Sequence, residues 1–146
     1  MRMALVKLAL VTGAGLVALA ACGSANDGYD PTVPTNMTLQ SGAGQEAEAG
    51  TALPELLTVI TTNLVGDPVA GVTVEWSVVS GGGRLSSATT DSDADGISSV
   101  TFTLGPSVGA QAVRAVASVS LIGSPVTFGA TATPPPPADG GGGGAP

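Results

Sequence analysis

From Asn36 to Thr133 apolar and polar residues alternate with a period of two between clusters of turn residues, and no stripe of helical spacing appears. Alternation of this kind belongs to strands with one buried and one wetted face. It is clearest over Gly71–Val79, where Val72, Val74, Trp76 and Val78 take one phase and Thr73, Glu75 and Ser77 the other. The same pattern predicts strands through Leu57, Val59 and Thr61, through Ser98, Val100, Phe102 and Leu104, through Val113, Ala115 and Ala117, and through Val126, Phe128, Ala130 and Ala132. A first strand over Met37–Ser41 and a short one over Arg84–Ala88 bring the expected number to seven. Turns are expected at Gly66-Asp67-Pro68, Gly81-Gly82-Gly83, Asp93-Ala94-Asp95-Gly96, Gly105-Pro106 and Gly123-Ser124-Pro125, because glycine reaches positive φ and proline fixes a turn corner.

The flanks obey different rules. Arg2 and Lys7 precede fourteen uncharged residues, Leu8 to Ala21, which end in small alanines. This is the layout of a secretory signal over 1–21, and the run is short and glycine-interrupted for a membrane span. Leu19-Ala20-Ala21-Cys22 closes it and resembles the lipobox of bacterial lipoproteins. The resemblance implies cleavage before Cys22, a diacylglyceryl group on its sulfur and acylation of the new amino terminus. Gly23, where lipoproteins kept in the inner membrane often carry aspartate, tilts the resemblance towards the outer membrane or cell surface ahead of the inner membrane. Two or more acyl chains hold a protein stably where one does not. Residues 22–35 carry two prolines and almost no large apolar group, which predicts a flexible tether. Residues 134–146, PPPPADGGGGGAP, read as a polyproline II stretch leading into a shapeless glycine run, a tail or a linker.

Seven half-buried antiparallel strands with a tryptophan in the third predict an all-β, immunoglobulin-like Greek-key sandwich over 36–133. The cysteine pair of antibody domains is missing, so burial alone must join the sheets, with Trp76, Phe102 and Phe128 as the bulky members. Gly50-Thr51-Ala52-Leu53-Pro54, the loop Gly66 to Val74, Val78 to Gly83, the turn Thr90 to Gly96, Leu104-Gly105 and Gly123 to Phe128 resemble, in order and spacing, the group 1 bacterial immunoglobulin-like domains of the invasin and intimin type. That resemblance implies a module found in tandem on cell-surface proteins, most copies acting as rigid spacers and some as adhesive tips. The chain departs from the pattern in carrying one copy and in a lipid anchor where the family uses an outer-membrane barrel.

Composition removes most chemistry. There is no histidine, and Cys22 is the only cysteine, which excludes a Ser-His-Asp or Cys-His nucleophile, a histidine-bound zinc, a haem and an intrachain disulfide. From Cys22 onward eleven carboxylates face only Arg84 and Arg114, a balance of nine negative charges that excludes electrostatic nucleic-acid binding. Asp91-Ser92-Asp93-Ala94-Asp95-Gly96 fits the opening of a calcium loop, yet the twelfth position is Phe102 and not a bidentate glutamate, so Asp91, Asp93 and Asp95 are expected to serve a β-hairpin turn. No metal and no cofactor are expected.

Trp76 has the phase of the core and is not a sugar platform, Arg84 and Arg114 read as solvated charges, and Glu46, Glu48 and Glu55 lack a pocket to make them an acid and base pair. The match of Asn36-Met37-Thr38 to a glycosylation sequon is accidental behind a bacterial lipobox. The loops Asn63–Val69 and Gly105–Gly109 place Leu64, Val65 and Val108 on turns, where they either cap the ends of the sandwich or, if the module binds a protein or glycan partner, form its contact sites. The expected function is that of a non-catalytic, monomeric, lipid-anchored envelope protein that presents its module for binding or spacing. The alternatives are an accessory module of a larger secreted or surface enzyme continuing past the Pro/Gly linker, and a calcium-stabilised structural module.

Overall fold

In the computed structural model, which describes residues 28–138, the period-two stretches of the sequence are strands and the core lies between their apolar faces. Ten strands occur among the described residues: β1 (Asn36–Ser41), β2 (Gln45–Glu48), β3 (Leu57–Thr62), β4 (Thr73–Ser80), β5 (Arg84–Leu85), β6 (Thr89–Asp91), β7 (Ile97–Val100), β8 (Phe102–Thr103), β9 (Gly109–Ala117) and β10 (Val126–Thr133). One sheet has the order β1-β3-β7 and the other β2-β10-β9-β4-β6, while β5 and β8 form a small ribbon. The all-β sandwich expected from the sequence is present, and four details differ from expectation.

The first difference is β2, whose residues Gln45-Glu46-Ala47-Glu48 carry no apolar alternation. The chain leaves the three-stranded sheet after β1 and joins the edge of the other sheet, where β2 runs parallel to β10, so the strands are not all antiparallel. Gly42 makes this crossing with φ of 93°, and a Cβ there would overlap the Leu56 carbonyl. Only glycine meets both demands. The second is β6, a polar edge strand beside β4. With β2 already added ahead of it, Trp76 belongs to the fourth strand and not the third. The third is the expected strand through Ser98 and Leu104. It breaks at Thr101 into β7, paired with β3, and β8, paired with β5. The short strand expected over Arg84–Ala88 is confined to Arg84–Leu85 for the same reason: β8 offers it only two partners. The fourth is the Asp93–Gly96 turn. It joins β6 to β7, which lie in different sheets, and is a crossover between layers and not a hairpin.

Trp76 packs between the layers beside Phe128, with ring centroids 5.8 Å apart and planes inclined by 37°. Its Nε1–H donates to Thr90 Oγ1 at 2.8 Å, so the polar handle of a buried ring is satisfied by the edge strand. Val74, Val113, Ala115 and Phe128 bury from this sheet, and Met37, Leu57, Val59 and Val100 from the opposite one.

Register fixes the ends of the sandwich. Asn36 lies opposite Thr62, Ile60 opposite Ile97, Val74 opposite Ala117, and Val126 opposite Ala115. These residues mark a proximal pole, where the chain enters through Thr35. Ser41, Leu57, Val100, Gly109 and Ala132 mark the other, distal pole, where it leaves after Thr133. The module therefore passes the chain from one end to the other.

Candidate functional site

The proximal pole is built on three buried polar side chains. Asn63, at the end of β3, has no exposed surface, and its Oδ1 accepts from the backbone amides of Val65 (3.1 Å) and Asp67 (2.9 Å). Its Nδ2 donates to the Pro31 carbonyl at 3.1 Å, which ties the incoming chain to the same loop. Thr61 Oγ1 lies between the Val69 (2.9 Å) and Gly96 (3.1 Å) carbonyls, and Ser92 Oγ accepts from Val72 N while donating to Val69 O. Buried groups with all their partners hold a loop in one conformation. The consequence is outward: Leu64 is 71% exposed and Val65 64%. Ile122, at 69%, is exposed at the same pole, where its amide donates to the Thr35 carbonyl and its own carbonyl accepts from Met37 N. Between Val119, Leu121, Ser124 and Pro125 an open depression of about 290 Å³ indents the same pole.

The distal pole is held by Gln111. Its Oε1 accepts from Gly105 N at 2.8 Å and its Nε2 donates to the Ser107 carbonyl at 2.8 Å, leaving Val108 exposed at the tip. The loops Asn63–Val69 and Gly105–Gly109 thus stand at opposite poles. Glu46 and Glu55 are exposed at the distal end, where the Gln45 side chain bonds both backbone groups of Glu55.

Each carboxylate of the Asp91–Gly96 turn has its own geometry. Asp91 Oδ1 accepts from Thr73 Oγ1 at 2.6 Å, across the β4 and β6 pair. Asp93 Oδ1 accepts from Asp95 N and Ile97 N, both at 2.9 Å, which closes an Asx turn. Gly96 comes next with φ of 71°, where a Cβ would overlap the Thr61 carbonyl. Among the described residues no three Asp, Glu, Cys or His side chains gather as a metal site requires. Trp76 is buried, Arg84 and Arg114 are exposed, and Asn36 Nδ2 donates to the Asn63 carbonyl at 3.2 Å. Cys22, the expected signal over 1–21, part of the expected tether and the glycine run lie outside the described residues. Among the described residues no helix is long and apolar enough to cross a membrane.

Thr61 shares the buried phase of Leu57 and Val59 and is found buried, whereas Asn63, Ser92 and Gln111 escape a reading based on alternation alone. A signal was present for two of them: Gln111 shares a phase with Val113, Ala115 and Ala117, and Asn63 stands two residues from the Val65-Gly66-Asp67 turn. A polar residue on a core phase points to a buried hydrogen-bonding role.

No family model matches the chain, and no curated protein matches it. Solved structures do. The D00–D0 domain of intimin is 20% identical with a TM-score of 0.51, over 73% of this chain and 51% of that one. The Yersinia pseudotuberculosis adhesin InvE is 22% identical with a TM-score of 0.55, over 69% of this chain and 32% of that one. Domains 4–9 of the surface layer protein SbsC are 13% identical with a TM-score of 0.52, over 72% and 15%. The fold is thus an immunoglobulin-like β-sandwich, similar to domains of intimin, of the adhesin InvE and of the surface layer protein SbsC. The chain spans about half the length of the intimin chain and less of the other two.

Proposed function

We propose that this chain is a non-catalytic, lipid-anchored protein of the bacterial cell surface that presents one immunoglobulin-like module for binding or spacing. The observation that carries the reading is the passage of the chain from proximal to distal pole, with a hydrogen-bonded loop fixed at each end. Such a module holds the segments on its two sides apart and offers loops to partners, which is how sandwich scaffolds bear function. The adhesin and surface-layer context of the similar structures supports a place at the cell surface. The sequence Leu19-Ala20-Ala21-Cys22 supports a thioether-linked lipid on Cys22 as the anchor. With no histidine in the chain, its serines and its single cysteine lack the imidazole base of a Ser-His or Cys-His couple.

Metabolic labelling with a fatty-acid analogue tests the anchor. The wild type should carry label and sediment with membranes, and Cys22→Ser should lose both. Equal labelling and sedimentation of the two would contradict the reading.

A further inference from the structure

Leu64, Val65 and Ile122 form the apolar part of the proximal pole, and hydrogen bonds make their neighbourhood continuous. The 63–67 loop is joined to the incoming chain through Asn63 and Pro31, the incoming chain to Ile122 through Thr35, and the Asp turn to the end of β3 through Thr61 N and the Gly96 carbonyl at 2.8 Å. Single exposed leucines are ordinary on protein surfaces. This group is different because Asn63 holds the backbone amides of Val65 and Asp67, which fixes the loop on which Leu64 and Val65 are exposed. The pole also has one sign of charge. The exposed charges on the two loops are Asp67, Asp93 and Asp95, whereas Arg84 pairs in register with Thr103 near the distal end and Arg114 stands within β9, opposite Ser77 and Thr127, one residue from the Ala115–Val126 pair and on the phase that faces away from the core.

We propose that the proximal pole binds a cationic protein segment that carries apolar side chains between its lysines or arginines. Leu64, Val65 and Ile122 would bury the apolar side chains, and Asp67, Asp93 and Asp95 would steer and orient the bases around them. An anionic bilayer is disfavoured as the occupant, because its surface potential repels a pole lined by carboxylates. The inference rests on the binding role proposed above, to which it gives a partner class, and is independent of the lipid on Cys22.

The test uses the full-length protein purified in non-ionic detergent and ¹⁵N-labelled, with three synthetic probes of equal length: an alternating Lys/Leu peptide, a Lys/Ser peptide and a Glu/Leu peptide. The Lys/Leu peptide should shift the amides of Leu64, Val65 and Ile122 and leave Val79 and Val108 unmoved. It should bind roughly tenfold more tightly than the Lys/Ser peptide, the gain of burying one or two aliphatic side chains, and more tightly than the Glu/Leu peptide, whose carboxylates the pole repels. Leu64→Ser with Val65→Ser should remove that advantage, whereas Val79→Ser with Val108→Ser should not. Asp67→Asn with Asp95→Asn should flatten the fall in affinity between low and high salt. Equal binding of the Lys/Ser peptide, shifts spread over both poles, or preferential binding of phosphatidylcholine vesicles would overturn the proposal. Failure here leaves the labelling result at Cys22 untouched, so the two readings fall separately.

Discussion

The two poles of the sandwich solve one problem with different residues. Each must hold a loop at the end of a sheet, and each does so with a single buried amide side chain, Asn63 at the proximal end and Gln111 at the distal end. They differ in what the loop then displays. The proximal loops expose Leu64, Val65 and Ile122 together with Asp67, Asp93 and Asp95, while the distal end exposes Leu56, Val79 and Val108 together with Glu55 and Arg84. The difference teaches that loop rigidity belongs to the scaffold, whereas surface chemistry belongs to the particular end. Only the proximal end combines fixed apolar groups with charge of one sign.

The largest effect should come from a change that destroys both ends together. Trp76→Ala removes the ring packed on Phe128 and the bond to Thr90, and should cost about 3–5 kcal/mol, a large part of what a domain this size commands. Urea unfolding monitored by circular dichroism would read it. A cost below about 1 kcal/mol would contradict burial at the shared core.

Separating the ends takes smaller changes. Asn63→Ala leaves the Val65 and Asp67 amides without their acceptor, and Gln111→Ala does the same to Gly105, each at about 1–3 kcal/mol. Hydrogen exchange should rise at Val65 and Asp67 in the first variant and at Gly105 in the second, with no crossing over. Loss of protection at both poles in either variant would show that they are one cooperative unit. Gly96→Ala forces a side chain into left-handed backbone against the Thr61 carbonyl, at about 1–2 kcal/mol, and its effect should stay on the proximal side.

The smallest effect concerns calcium. Asp93 is engaged by the turn's own amides and Asp91 by Thr73, so melting temperatures in calcium and in chelator should agree within about 1 °C. A saturable rise of several degrees, abolished by Asp93→Ala, would instead establish the turn as a cation site.

Much of this architecture is legible in the alternation, and its failures have physical causes. Strands half-buried on a core write their phase in valines, as β4 and β9 do, and Trp76 could be placed inside on phase alone. Edge strands have little to bury, so β2 and β6, built of Gln45, Glu46, Glu48, Thr89, Thr90 and Asp91, leave no such trace. The break at Thr101 is hidden because Val100 and Phe102 keep the same phase while they change partners. At the candidate site the exposed Leu64, Val65 and Val108 were readable as apolar residues on turns. Their separation to opposite ends was not, since it depends on register between distant strands.

Site-specific photo-crosslinking in living cells tests the central claim most directly, with a photoreactive residue placed at position 64 or at position 108. Protein adducts are expected from position 64, disappearing in the Asp67→Asn, Asp95→Asn background, and none above background from position 108. Adducts of equal yield from both positions, or adducts from position 64 to lipid alone, would contradict it.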